Sequence, residues 1–333
     1  MQTSYPAAAS RTQDLEDTAT VERITDLSPT IREFELRPLG GALSWAPGSH
    51  LTVGVGATGS ETRTYSLVGL PQAGSYRIAV KRLMPGKGGS RFMWSLAPGD
   101  QVPIGRPRNY FPLPLQAPQV LLVAGGIGIT PLLGMAQTLA ATQVNVAMRY
   151  AAASREELVY LQPLREALGD RLQTFTGEDG QRLDLDAEVA ALPADAYLLA
   201  CGPLSLLNAA RGAWSEAGRP VNRLRFETFG TTGNRPEEPF WIQVDGVDGR
   251  ITVDVDRSML DALNLAGIET LYDCLRGECG LCAVDILRIE GEVDHRDVFL
   301  SENEKRANQR ICTCVSRVTG GGVVIDSGFR DDG

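Results

Sequence analysis

Tyr272 to Cys282 reads Y-D-C-L-R-G-E-C-G-L-C and places Cys274, Cys279 and Cys282 at C-x4-C-x2-C spacing. With a further cysteine downstream, that spacing is the ligand pattern of a plant-type 2Fe-2S cluster held by four thiolates. A loop that wraps a cluster must turn sharply and aim backbone N–H groups at sulfur, which favours residues without a Cβ, and Gly277 and Gly280 stand beside the cysteines. A structural zinc site is the alternative, because C-x2-C is also half of such a site. Zinc wants a second Cys pair or a Cys/His pair at defined spacing, and the two histidines, His50 and His295, supply none. The fourth thiolate comes from Cys312 or Cys314 in I-C-T-C-V-S-R. One residue apart, the two would point the same way from a strand, so geometry leaves the choice open.

Outward from this loop, F-W-I-Q-V and I-T-V-D-V read as a hairpin and S-M-L-D-A-L-N-L-A as a helix, all within a C-terminal domain over 240–333. The polar Gly/Pro run G-T-T-G-N-R-P-E-E-P, 230–239, reads as a linker. Before it, 115–229 alternates strand and helix. Q-V-L-L-V-A is a wholly apolar strand, and Thr130 is expected to cap the helix after it with Pro131 in the first turn. Then come V-N-V-A-M-R-Y, a helix from Arg155 to Leu168, R-L-Q-T-F-T, A-Y-L-L-A-C and a helix after Pro203, a doubly wound α/β pattern closing at L-R-F-E-T-F. Residues 19–114 carry short β-like runs broken by Gly and Pro, the signature of a small antiparallel barrel. Residues 1–18 lack periodicity and read as a disordered tail. The fold expected is thus multidomain β, α/β and α+β.

The 333 residues carry a net charge of -9, and the piece from Phe240 onward holds 18 acidic against 10 basic residues, net -8. That excess speaks against nucleic acid and for a partner with a positive face. No apolar run is long enough to span a bilayer and no signal-peptide layout opens the chain, so a membrane role is not expected. Six cysteines grouped as ligands fit a reducing cytoplasm.

Gly125-Gly126-Ile127-Gly128-Ile129-Thr130 follows the apolar strand as a phosphate-binding turn would, with backbone free to approach a pyrophosphate at a helix N-terminus. Cys201-Gly202-Pro203 ends another strand on the same edge; a cysteine there is more often core than chemistry. Arg63-Thr64-Tyr65-Ser66, Ala79-Val80-Lys81 and Gly88-Gly89-Ser90 lie in the barrel. Between Arg63 and Arg108 there are eight basic residues and one acid, Asp100, which suits a phosphate ester beside an aromatic ring packed on Tyr65. A cationic barrel face is the plainer alternative.

In order, R-T-Y-S, G-G-I-G-I-T-P, C-G-P, the F-E-x-F segment, C-L-R-G-E-C-G-L-C, G-E-V-D-H-R-D and C-V-S-R resemble phthalate dioxygenase reductase and vanillate demethylase reductase over about Ala19 to Asp326. The resemblance implies a flavin-binding antiparallel barrel, a nicotinamide-nucleotide domain and a C-terminal β-grasp ferredoxin. A ferredoxin at this end resembles the members that use FMN. By carry-over Arg63, Thr64, Tyr65, Ser66, Ala79, Val80, Lys81, Gly88, Gly89 and Ser90 hold FMN, and Thr130 and Phe226 border its ring. Gly125, Gly126, Gly128, Cys201, Gly202 and Pro203 line the NADH site, while Cys274, Cys279, Cys282 and Cys314 hold the 2Fe-2S cluster. Cys314 is chosen because C-V-S-R resembles the family's fourth-ligand segment; the Cys312/Cys314 doublet departs from it. His295 is assigned no catalytic role.

The function implied is that of the reductase component of a two-component Rieske-type oxygenase, acting as a monomer. NADH gives two electrons together and a 2Fe-2S cluster accepts one, so a flavin must stand between them. An FAD-containing reductase for another acceptor and a 2Fe-2S redox sensor are the rival readings. NADH is expected over NADPH: past the second strand of the nucleotide domain only Arg155 could meet a 2'-phosphate, and Glu156 and Glu157 follow it.

Overall fold

A computed structural model describes residues 15–56, 61–83, 88–229, 238–255 and 257–328. Most of the expected tail (1–14) and of the expected linker (230–237) lies outside the described residues. The chain forms two compact units, one running to Glu227 and one from Thr228.

The first unit opens with strands β1 (Asp17–Ser28), β2 (Ile31–Pro38), β3 (Ser49–Val55), β4 (Glu61–Ser66) and β5 (Tyr76–Lys81), a short helix α1 (Gly89–Ser95), and strands β6 (Gln101–Ile104) and β7 (Arg108–Asn109). They form an antiparallel sheet in the order β4-β3-β6-β1-β2-β5, with β7 on β3, and a bridge between Leu67 and Ile78 ties the end of β4 back to β5. Asp17 and Thr18 pair with Ile104 and Pro103, so the barrel takes in two residues that the sequence assigned to the tail. Alternation fills the barrel: Phe34, Leu36, Leu51, Val53, Ile78 and Val80 point inward and are buried.

The same unit continues with β8 (Gln119–Gly125), α2 (Ile129–Ala140), β9 (Asn145–Ala152), α3 (Leu161–Leu168), β10 (Leu172–Thr176), α4 (Leu185–Ala190), β11 (Tyr197–Cys201), α5 (Leu204–Glu216) and β12 (Leu224–Glu227). All five strands are parallel, in the order β10-β9-β8-β11-β12. β8 is buried from Val120 to Gly125, as a strand covered on both faces must be.

Two helix starts differ from expectation. Thr130 does not cap α2: a 3-10 turn over Gly126–Gly128 leads into it, Gly128 is the N-cap without a side-chain bond, and the buried Thr130 hydroxyl donates back to the Ile127 carbonyl at 3.0 Å. The helix expected from Arg155 begins only at Leu161. Tyr160 takes a left-handed φ of 62°, and its hydroxyl donates to Glu33 Oε2 at 2.6 Å while Lys81 pairs with Glu157 at 2.5 Å. Tertiary partners on the barrel thus override local helix preference.

The second unit contains β13 (Phe240–Val244), β14 (Ile251–Val253), α6 (Met259–Leu265), β15 (Ala283–Asp294), α7 (Glu302–Ala307), β16 (Arg310–Cys312) and β17 (Arg317–Asp326). The order β14-β13-β17-β15-β16, with β13 parallel to β17, is that of a β-grasp sheet. Ser258 and Asp261 form a capping box at the start of α6, whose Met259, Ala262 and Leu263 pack on Ile242, Val318 and Val323. No described helix is long and apolar enough to cross a membrane.

Candidate functional site

The cysteine loop joins α6 to β15. Its backbone winds through positive φ at Leu275 (56°), Gly277 (74°) and Gly280 (76°), and this winding gathers the N–H groups of Arg276, Glu278 and Cys279 around Cys274 Sγ, each at 3.4 Å. Three donors on one sulfur favour its thiolate. The fold requires glycine at 280 on two counts, the left-handed φ and a Phe299 ring that a Cβ would meet at 2.2 Å. Arg276 and Glu278 form a buried ion pair at 3.1 Å; Glu278 Oε1 accepts from the Thr228 N–H at 2.6 Å, and the Thr228 hydroxyl donates to the Arg276 carbonyl at 2.9 Å.

The sulfurs of the loop and of the doublet lie close together. Cys282 and Cys314 Sγ are 3.2 Å apart. Hydrogen bonds from the Cys314 thiol and from backbone N–H groups hold Cys274 down at about 5, and the thiols of Cys312 and Cys314 hold Cys282 well below the thiol range. Cys312 and Cys314 are pushed up as the proton holders. Both cysteines of the doublet lie in one buried cluster with Cys282, Leu260 and Leu300, Cys312 fully buried and Cys314 slightly less so. A donor set of soft thiolates backed by converging N–H groups fits a 2Fe-2S cluster. Behind the loop, Asp297 is fully buried. Burial acts to raise its carboxyl, but His295, whose Nδ1 lies 3.7 Å away, and the Lys305 charge outweigh it and hold it below the usual carboxylate range, and it accepts from the Leu300 N–H at 2.8 Å. His295 is a brace, its Nε2 2.9 Å from Asn308 Oδ1.

In the first unit, the structure joins the two glycine segments of the parallel sheet. β8 and β11 are neighbours, and a Cβ on Gly128 would lie 2.1 Å from the Cys201 carbonyl oxygen, while one on Gly125 would meet Pro203 at 2.6 Å. Packing alone therefore demands glycine at 128. Gly126 is the one with open space before it, at the head of α2 where free N–H groups and the helix dipole favour an anion. Gly202 and Pro203 occupy the mouth of this edge; Cys201 is fully buried.

On the barrel, Arg63 and Gly89 are brought together, since a Cβ on Gly89 would lie 2.7 Å from the Arg63 side chain. Ser90 Oγ accepts from the Leu83 N–H at 3.2 Å, which draws the start of α1 to the end of β5. Ala79 and Val80 are buried in β5. Burial pushes the Tyr65 phenol up, so it stays neutral, with its ring against the barrel core. Thr64 lies opposite Thr52 on β3. Phe226 is half-buried on β12 beside Ala200. Next to it, the Glu of the F-E-x-F segment, Glu227, which its sequence context gives no role, is wholly buried, and its Oε2 accepts from the Ser66 hydroxyl at 3.2 Å. A lone acid closing the strand L-R-F-E was the available signal.

Barrel, nucleotide-type sheet and thiolate loop in one chain define an iron-sulfur flavoprotein reductase. Residues 242–319 match the family described as 2Fe-2S iron-sulfur cluster binding domain. The heme-dependent oxidative N-demethylase beta subunit of Ectopseudomonas mendocina (strain ymp) is 34% identical over 92% of this chain and 97% of its own length. Phthalate dioxygenase reductase of Burkholderia cepacia is 34% identical over 89% of this chain and 92% of its own. A solved phthalate dioxygenase reductase, described as a modular structure for electron transfer from pyridine nucleotides to 2Fe-2S, superposes with a TM-score of 0.74 at 30% identity, covering 94% of this chain and 99% of that one. The chain belongs to the family of phthalate dioxygenase reductase and vanillate O-demethylase oxidoreductase. It is an oxidoreductase with flavin and 2Fe-2S domains.

Proposed function

We propose that this chain is the reductase component of a two-component Rieske-type oxygenase and carries electrons from NADH by way of FMN and a 2Fe-2S cluster. The observation that carries the reading is the thiolate loop in the same chain as the glycine-packed edge of β8 and β11. Arg63 to Ser66, Ala79 to Lys81 and Gly88 to Ser90 would hold FMN, with Thr130 and Phe226 beside it. Gly125, Gly126, Gly128, Cys201, Gly202 and Pro203 would hold NADH, and Cys274, Cys279, Cys282 and Cys314 the cluster. Bound there, flavin accepts an electron pair and releases electrons singly.

The chain's own residues bind and orient. The α2 N-terminus offers N–H groups to pyrophosphate. Arg63 offers a planar cation to a phosphate ester. Lys81 does less than the sequence suggests, because Glu157 already holds its ammonium at 2.5 Å. The neutral Tyr65 adds no charge to the site. The Ser66 hydroxyl donates to Glu227 in a buried hydrogen bond between β12 and β4. No side-chain acid or base is needed for the hydride itself. Six cysteines, none of them in a disulfide, suit the reducing cytoplasm in which we place the reaction.

Extraction of the purified protein should recover FMN and iron in a ratio set by one flavin and one two-iron cluster per chain. Recovery of FAD, or of zinc in place of iron, would overturn the assignment. Sustained NADH-dependent reduction of cytochrome c is expected of the enzyme; a redox sensor would not turn over.

A further inference from the structure

We infer that Glu178 and Asp179 are specificity-determining residues of the nucleotide site, because they occupy Arg155 and set two carboxylates where the 2'-phosphate of NADPH would lie. The inference rests on the reading of the β8 and β11 edge as the pyridine-nucleotide site. In a doubly wound sheet the adenosine ribose meets the end of the strand beside the phosphate-binding one, where an acid accepts from a 2'-hydroxyl and an Arg accommodates a 2'-phosphate. Here that strand is β9, in parallel register with β8, and the first cation beyond its end is Arg155.

In sequence Arg155 reads as a candidate phosphate ligand. The structure gives it other partners, which come from the turn after β10. Its Nη2 and Nε donate to the two oxygens of Asp179 at 2.6 and 3.1 Å, and its backbone N–H donates to Glu178 Oε1 at 2.8 Å. The two turns are stitched further by the Glu178 N–H on the Ala153 carbonyl at 3.0 Å and by the Thr176 hydroxyl on Asp179. Glu157 takes no part, since it pairs with Lys81. Glu156, next in sequence, is exposed. A dianion arriving here would have to displace a two-point carboxylate pair and then sit beside the displaced acid. A 2'-hydroxyl demands neither.

The Arg155 side chain is 73% exposed, so the pair contributes little to folding, and its removal tests recognition rather than stability. The experiment compares steady-state oxidation of NADH and NADPH, with ferricyanide as acceptor, by the intact holoenzyme and by E178Q/D179N. The ratio of kcat/KM for NADPH to that for NADH should rise about tenfold, through a lower KM for NADPH rather than a higher kcat. Adding R155A to that variant should remove the gain, while R155A alone should leave the ratio near its starting value. Two acids that merely staple the turn would leave the ratio unmoved. If the parent oxidises NADH and the variant's ratio does not change, or if the parent already prefers NADPH, this inference is overturned while the site reading stands. If the parent oxidises neither nucleotide, the site reading falls and takes this inference with it.

Discussion

Cys314→Ser is expected to strip the protein of its visible cluster absorbance and of cytochrome c reduction, while Cys312→Ser keeps both, with flavin bound in either variant. Cys314 Sγ lies 3.2 Å from Cys282 Sγ and its thiol interacts with that of Cys274, and its C-V-S-R setting resembles the family's fourth-ligand segment. Cys312 is the more deeply buried of the two and stands as a small apolar side chain. A hydroxyl at 314 is a poor iron ligand and leaves the loop's N–H groups around a site with three thiolates. A hydroxyl at 312 costs a small amount of packing. Absorbance spectra with iron analysis decide the matter: a bleached Cys312→Ser beside an intact Cys314→Ser reverses the assignment.

The second large effect is expected from a chain cut near Asn234. The unit ending at Glu227 contains both the barrel and the parallel sheet, and so every residue assigned to FMN and NADH. It should fold, bind FMN and oxidise NADH with ferricyanide, which takes electrons from flavin directly. Reduction of cytochrome c and support of an oxygenase should fall far below the intact chain's rates, because the thiolates lie in the missing unit. That unit also carries nearly all the excess acid, so transfer from the intact chain to its partner should weaken with salt, exposed charges being screened beyond about 8 Å at physiological ionic strength. A truncated protein that drives an oxygenase as fast as the whole one would mean that electrons leave from the flavin.

The parts that sequence makes legible are those whose chemistry is local. The C-x4-C-x2-C loop announces its ligands because one turn of chain must present three of them, and the apolar β8 followed by glycines announces a buried parallel strand and its turn. Choosing Cys314 over Cys312 rests on a resemblance, since the two stand one residue apart and the thiols both of them meet, Cys274 and Cys282, are dozens of residues away. Helix starts were misread where distant groups intervene: Thr130 looks like a cap, but the 3-10 turn before it moves the helix start to Ile129, and Lys81 and Glu33 hold Glu157 and Tyr160 out of α3. The Ser66 to Glu227 bond spans 161 residues, and no periodicity reports it. Arg155 likewise reads as a phosphate ligand until the turn after β10 is placed against it.

The central claim is that electrons from NADH pass through flavin to the cluster within one chain. Rapid mixing of the intact holoenzyme with NADH under anaerobic conditions, followed by optical spectra and by electron paramagnetic resonance of frozen samples, tests it most directly. The account predicts that flavin bleaches first and that the signal of a singly reduced 2Fe-2S cluster then grows at a rate at least as fast as turnover with cytochrome c. Flavin reduced by NADH beside a cluster that stays oxidised throughout turnover would contradict it.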